Sequence, residues 1–274
     1  MCFSGADRDL SGAPKFAYVH IPKTGGISFF QTLCDLFEDC NHRILNNLAT
    51  CERFAALSSL EKLAFDVVGG HMTYGFDPEL PRRFSYVTML REPVDRLISH
   101  YTGLKYLQNN VDVARDIRAR DLSLLDFARE SDPRYFPWQH AELYFLGASA
   151  APVGSLEALA DHAARNLLGN FAFFGIVERH NQSMALFEHC FGGETRVKPM
   201  NVTPGSTKLS VSEAERAALT EILDLEVRLY DTAVRAFELR LREVPDLDAR
   251  SAAIGFRREL PTFAMQVHPK KENS

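Results

Sequence analysis

Apolar positions along this chain alternate between two spacings. A mostly apolar run, "FAYVHI" from Phe16 to Ile21, predicts a buried strand. Beyond Pro22, the residues Ile27, Phe30, Leu33 or Cys34, and Phe37 recur at helical spacing, which predicts a helix from Gly26. A second strand is expected over Phe65–Val68, ended by Gly69-Gly70 and followed by His71. The third, "FSYVTML" (84–90), runs into Arg91, Glu92 and Pro93, and proline is well placed to open a helix. That helix has a buried stripe of Val94, Leu97, Ile98, Tyr101 and Leu104, leaving Arg96, Ser99 and Gly103 on another face. Three short helices are expected at 122–130, 138–146 and 155–168. "FAFFGIV" (171–177) is the fourth strand, followed by a helix over 180–190. Ser210 with Glu213 reads as a capping box that starts a long last helix to about Arg240. Residues 1–14 read as a loose leader and 261–274 as an irregular tail, leaving a single domain over 15–260.

Strands alternating with helices imply an α/β fold, a parallel sheet with helices on both faces. Ligands of such sheets bind at the carboxyl ends of the strands. Three segments bring polar residues there: Pro22–Ser28, Gly69–Thr73 and Arg91–Ser99.

A net charge of -5 gives no reason to expect nucleic acid or an anionic membrane as partner, so any anion site has to be local. Five cysteines, an odd number with no CxxC pair, read as free thiols in a reducing compartment. No apolar run reaches the length of a membrane span, and the first fourteen residues lack the apolar core of a signal peptide. The expectation is a soluble cytoplasmic protein.

"HIPKTGGIS" places Lys23, Thr24, Gly25, Gly26 and Ser28 between the first strand and its helix. A glycine turn opening a helix exposes unpaired first-turn amides and the positive end of the helix dipole, a site for phosphate or sulfate. Lys23 adds a point charge; Thr24 and Ser28 add hydroxyls. The lysine precedes the glycines, so this is not the G-x-x-x-x-G-K-[ST] loop of nucleoside triphosphatases, and the strand at 84–90 ends in arginine rather than an acidic magnesium ligand. The pattern suits a ligand with two separate anionic groups and no obligatory metal.

Together, "HIPKTGGIS" and "MLREPVDRLISHY" resemble the two nucleotide-binding motifs of the carbohydrate sulfotransferases, particularly the group that includes the heparan sulfate 2-O- and 6-O-sulfotransferases. The likeness is strongest over Phe16–Tyr106 and returns in "WQHAELYFLG", "FAFFGIVERHNQSMALF" and "NVTPGSTKLS". It implies the sulfotransferase fold, which is P-loop-like, and use of 3′-phosphoadenosine 5′-phosphosulfate (PAPS) without a metal. Lys23 would then face the bridging oxygen of the phosphosulfate, with Thr24, Gly25, Gly26 and Ser28 as the 5′-phosphate cradle. Arg91 and Ser99 would take the 3′-phosphate, and Lys208 would close over the nucleotide. The family often has threonine where this chain has Ile27.

Transfer to an alcohol needs a base, and His71 follows a strand end on the ligand edge. The resemblance implies the same role. His140 is the second candidate, while His20 reads as part of the strand end and His100 as structural. The acceptor is expected to be a saccharide or glycolipid hydroxyl. Trp138 and Tyr135 suit either a sugar ring or the core. Arg82, Arg83, Arg115, Arg118 and Arg120 suit either an acidic saccharide or a solvated face, since Asp112, Asp116 and Asp121 interleave with them. Two other readings remain open: a P-loop kinase-like enzyme, and a non-catalytic nucleotide-binding module.

Overall fold

Five strands form one wholly parallel sheet in the order β2-β3-β1-β4-β5: β1 Phe16–Val19, β2 His42–Ile44, β3 Val67–Gly70, β4 Ser85–Leu90 and β5 Phe171–Ile176. These coordinates are a computed structural model that describes residues 14–108, 111–147, 155–195 and 209–259. Every residue of β1, β3, β4 and β5 is buried, so both faces of the sheet are covered, and this is why these strands read as continuous apolar runs.

On one face Phe16 and Phe173 meet the helices α1 (Gly26–Cys34) and α5 (His180–Phe191). Phe29 of α1 lies 5.9 Å from Phe173 and 5.6 Å from Phe187 of α5, and Phe16 lies 5.1 Å from Phe191, ring centre to ring centre. Tyr86 and Phe171 pack on Tyr74 on the other side. A second apolar cluster gathers around α2 (Pro93–Thr102): Val94, Leu97, Tyr101 and Leu104 pack with Val113, Ile117, Phe127 and Leu219. The remaining helices used below are α3 (Ala141–Gly147), α4 (Leu156–Asn170), α6 (Glu213–Ile222), α7 (Asp224–Leu241) and α8 (Leu247–Glu259).

The predicted strands at 16–21, 84–90 and 171–177 are present with small trims. The strand expected over 65–68 instead spans Val67–Gly70, with both glycines inside it. Close packing accounts for this: a Cβ on Gly69 would come within 2.9 Å of Phe30 and Tyr18, and one on Gly70 within 2.5 Å of the Leu45 carbonyl. β2 was not predicted, because all three of its residues are exposed and carry no alternation. The capping box lies at Ser212 and Glu215 rather than Ser210 and Glu213, and the single long helix breaks at Leu223 into α6 and α7. Arg96, expected on a polar face, is fully buried. The proposed leader, but for Pro14, and the tail lie outside the described residues.

Candidate active site

The loop after β1 is built around three backbone features. Lys23 and Gly25 both hold left-handed conformations, with φ of 73° and 72°. Gly25 is the N-cap of α1, and a glycine offers no side chain to cap the positive end of the helix. Gly26 lies flat against the His20 imidazole, where an added Cβ would lie 1.9 Å from the ring. The turn predicted at Gly25 and Gly26 is thus present, with left-handed backbone at Gly25 opening α1.

Thr24 departs from expectation. Its side chain is buried and its hydroxyl donates to the Ile21 carbonyl at 2.8 Å, closing the turn from within. It does not line the cleft, and its hydroxyl serves the turn rather than the predicted cradle. Ser28 does line the cleft, one turn into α1. Ile27 is 48% exposed beside it, an apolar side chain at the mouth of the cradle.

Lys23 has no carboxylate partner among the described residues. Burial is the main cause of its lowered pKa, and the nearby Arg91 guanidinium adds to it. A half-buried lysine with no carboxylate partner and a second cation nearby suits an anion. Arg91, at the carboxyl end of β4, donates from Nη1 to the Lys23 carbonyl at 3.3 Å, so the second motif braces the first. Its Nε also lies 4.0 Å from Glu178. Ser99 lines the same cleft from α2. The helix itself is opened by Glu92, whose carboxylate accepts from the Val94 and Asp95 amides at 3.1 and 2.7 Å.

His71 follows β3 and lines the same cleft as Lys23. Its Nδ1 lies 3.0 Å from the His20 carbonyl. A carbonyl only accepts, so Nδ1 carries the proton in the neutral ring and Nε2 keeps its lone pair. The ring stacks on His20 at 4.5 Å and approaches Phe145 at 6.1 Å. Solvent reaches it from the cleft, yet the protein on its other sides lowers its pKa, a shift the His20 carbonyl partly offsets. His71 is thus held neutral, oriented and able to accept a proton.

His20 was read as a strand-end residue, and it does more than that. Sandwiched between Tyr18 and His71, it is pushed down to about 3, first by burial and then by the neighbouring His71, and so stays neutral. Only its place two residues before the turn hinted at this. His100 is structural as expected: Nδ1 lies 3.1 Å from the Trp138 carbonyl, and burial, then Arg96 and Lys23, hold its pKa well below the usual value.

His140 is removed from the cleft. Its Nδ1 lies 2.7 Å from the fully buried Glu226 of α7. Glu226, Glu142 and Arg96 form a buried cluster of ionisable side chains next to Arg91, in which Arg96 donates to the Trp138 and Gln139 carbonyls. Burial pushes Glu142 up to about 8, against the pull of Arg96.

The cleft encloses about 1430 Å³. Trp138, Tyr144 and Phe145 give it an apolar wall, whereas Tyr135 is buried and donates to Asp116 at 2.6 Å, a core residue. Arg216 reaches it from α6, pinned to Asp95 at 2.6 Å, and no motif or spacing had marked that helix as part of the cleft. Arg115 and Arg120 pair with Asp112 and with Asp116 and Glu130, and Arg118 donates to the Leu104 and Gln108 carbonyls, so that basic run is a structural surface. Arg83 is exposed, and the Arg82 side chain and Lys208 lie outside what is described.

Residues 9–231 match the Sulfotransferase family. The chain is 24% identical over 260 residues to a heparin sulfate O-sulfotransferase of Drosophila melanogaster, covering 84% of this chain and 74% of that one. It is 25% identical over 289 residues to the human heparan-sulfate 6-O-sulfotransferase 1, covering 88% and 70%. Among solved structures, a sulfotransferase from Alicyclobacillus acidocaldarius aligns with a TM-score of 0.49 at 17% identity, covering 83% of this chain and 99% of that one.

Proposed function

The chain belongs to the sulfotransferase family, and from that premise we propose that it moves the sulfuryl group of PAPS to a hydroxyl of a saccharide or glycolipid. The donor set fits such a co-substrate. Lys23 with no carboxylate partner among the described residues, the amino end of α1 behind a glycine N-cap, and Arg91 with Ser99 offer two anion sites in one cleft. The observation that carries the reading is the His71 tautomer, fixed by the His20 carbonyl so that Nε2 is left as a base on the same cleft.

PAPS supplies an activated sulfuryl group whose S–O bond to the 5′-phosphate breaks as the acceptor oxygen attacks in line. His71 Nε2 takes the acceptor's proton as its oxygen bonds to sulfur. Lys23 and the α1 amides stabilise the negative charge that gathers on the departing phosphate oxygen, and they need no reorganisation to do so. Arg91 and Ser99 hold the 3′-phosphate and so fix the donor's register. Lys23 and Arg91 supply the positive charge, so no metal is required of the site. Trp138, Tyr144 and Phe145 present an apolar wall on which a sugar ring can lie.

The relatives named for heparan sulfate support a saccharide acceptor. The test is transfer from sulfur-labelled PAPS to an extract of cell glycans and lipids, with the product identified by mass. Label appearing on a hydroxyl of one glycan class supports the proposal. PAPS binding with no labelled product from any acceptor would instead favour a non-catalytic module.

A further inference from the structure

Away from the cleft, at the amino ends of the strands, three metal-ligating side chains converge. Cys34 is the last residue of α1, Cys40 lies in the following loop, and His42 is the first residue of β2, in register with Val67 at the start of β3. Both Sγ atoms and a ring nitrogen lie within 4.8 Å of one another. A tetrahedral zinc ion, with bonds of about 2.3 Å to sulfur and 2.0–2.1 Å to nitrogen, sets its ligand atoms roughly 3.5–3.8 Å apart. The side chains need close only slightly to meet that spacing.

The surroundings favour a cation. The loop between the cysteines carries Asp35, Glu38 and Asp39, and the carboxylates of Asp35 and Asp66 lie near Cys40. Asp66 also fixes the loop, accepting from the Asn41 amide at 2.9 Å and from Lys15 at 3.4 Å. Two sulfurs and one imidazole form a soft donor set that selects zinc over calcium or magnesium. His42 is exposed, which leaves room for water as a fourth ligand.

We propose that Cys34, Cys40 and His42 form a structural site for a thiophilic divalent ion of the zinc type, clipping the end of α1 to the edge strand β2. The clip would add to the parallel pairing of β2 with β3 and to the Asn41–Asp66 bond that already hold this short strand on the rim. The site is independent of the sulfuryl-transfer reading, because α1 bears the anion cradle at its opposite end.

Cobalt(II) titration of the chelator-treated, reduced protein tests the proposal. One equivalent should bind, with a thiolate-to-cobalt charge-transfer band in the near ultraviolet and tetrahedral d–d bands in the visible. Zinc should displace it and raise the melting temperature. Cys40→Ser and His42→Ala, at half-exposed and exposed positions, should keep the native circular dichroism and weaken cobalt binding by at least tenfold. Absence of the charge-transfer band overturns the proposal, as does the same band at full strength in both variants. A Cys34–Cys40 disulfide in the protein as purified, seen by mass mapping, overturns it as well.

Discussion

Replacing Gly26 with alanine tests whether the anion cradle and the base are one packed unit. The added Cβ would lie 1.9 Å from His20 Cδ2. Ordinary carbon contacts begin near 3.5 Å, so the ring has to retreat by about 1.5 Å. It has little freedom to do so. Its ring lies between Tyr18 at 5.6 Å and His71 at 4.5 Å, and its backbone amide is tied to the Gly70 carbonyl at 2.9 Å. Overpacking of this kind costs about 1–3 kcal/mol. At roughly 2–4 °C per kcal/mol for a chain near this size, the melting temperature should fall by about 2–12 °C. A push on His20 also moves the ring stacked on it, and a misplacement of about 1 Å at a reacting group is worth on the order of a hundredfold in rate. The assays are thermal unfolding and sulfuryl transfer at saturating donor. Gly25→Asn is the control: nothing lies within 4 Å of a Cβ there, and asparagine tolerates its φ of 72°, so it should be close to neutral in stability. In the double variant His20→Ala with Gly26→Ala, removal of the ring should relieve the clash, so the combined loss of stability is smaller than the sum. Gly26→Ala with wild-type melting and wild-type transfer would refute the packing on which the site is built.

Four other outcomes follow from the same geometry. Arg91→Ala should weaken adenosine 3′,5′-bisphosphate by about tenfold to a hundredfold, the worth of a charge-assisted bond, and leave adenosine 5′-phosphosulfate nearly unaffected; equal losses in calorimetry would remove Arg91 from the 3′-phosphate. Nucleotide affinity should not depend on added magnesium, and a strong dependence would return the kinase-like reading. Glu226→Ala should destabilise by about 3–5 kcal/mol in denaturant melts, because it takes a carboxylate from the buried Arg96 and the hydrogen-bond partner from His140; a loss below about 1 kcal/mol would contradict that pairing. His20, held at about 3 in the fold against 6.5 unfolded, binds its proton only in the unfolded chain between those values. Its contribution is therefore complete above pH 6.5 and is lost as pH falls toward 3, at up to about 1.4 kcal/mol per pH unit, and His20→Asn should flatten that slope in acid melts.

The strands with covered faces were legible because burial writes continuous apolar runs, and the three polar segments at their carboxyl ends follow from parallel topology. Lys23, Gly25, Gly26, Ser28, His71, Arg91 and Ser99 all come to one cleft. Other features escaped because periodicity does not encode them. β2 has no buried face. The Thr24 hydroxyl turns inward because the loop's own carbonyl at Ile21 is the nearer acceptor. Arg96 looks like a surface residue on a helical wheel, yet α3, α7 and the turn at Trp138–Gln139 close over it and supply carbonyls and carboxylates that tolerate its charge. Cys34, Cys40 and His42 meet only once the chain leaves α1 and turns into an edge strand, a path no spacing rule marks.

The central claim is that His71 serves the acceptor's proton and not the donor's phosphates, and one comparison addresses it directly: PAPS affinity and single-turnover transfer, measured in parallel for His71→Ala and the wild type across pH. PAPS affinity should be almost unchanged, while transfer falls by roughly two to four orders of magnitude. In the wild type the rate should rise with pH through a midpoint below 6.5, since burial lowers the pKa of the ring and only its neutral form accepts a proton. The variant should lose that rise. An alanine variant that binds PAPS normally and also transfers normally, with the same pH profile, would contradict the account.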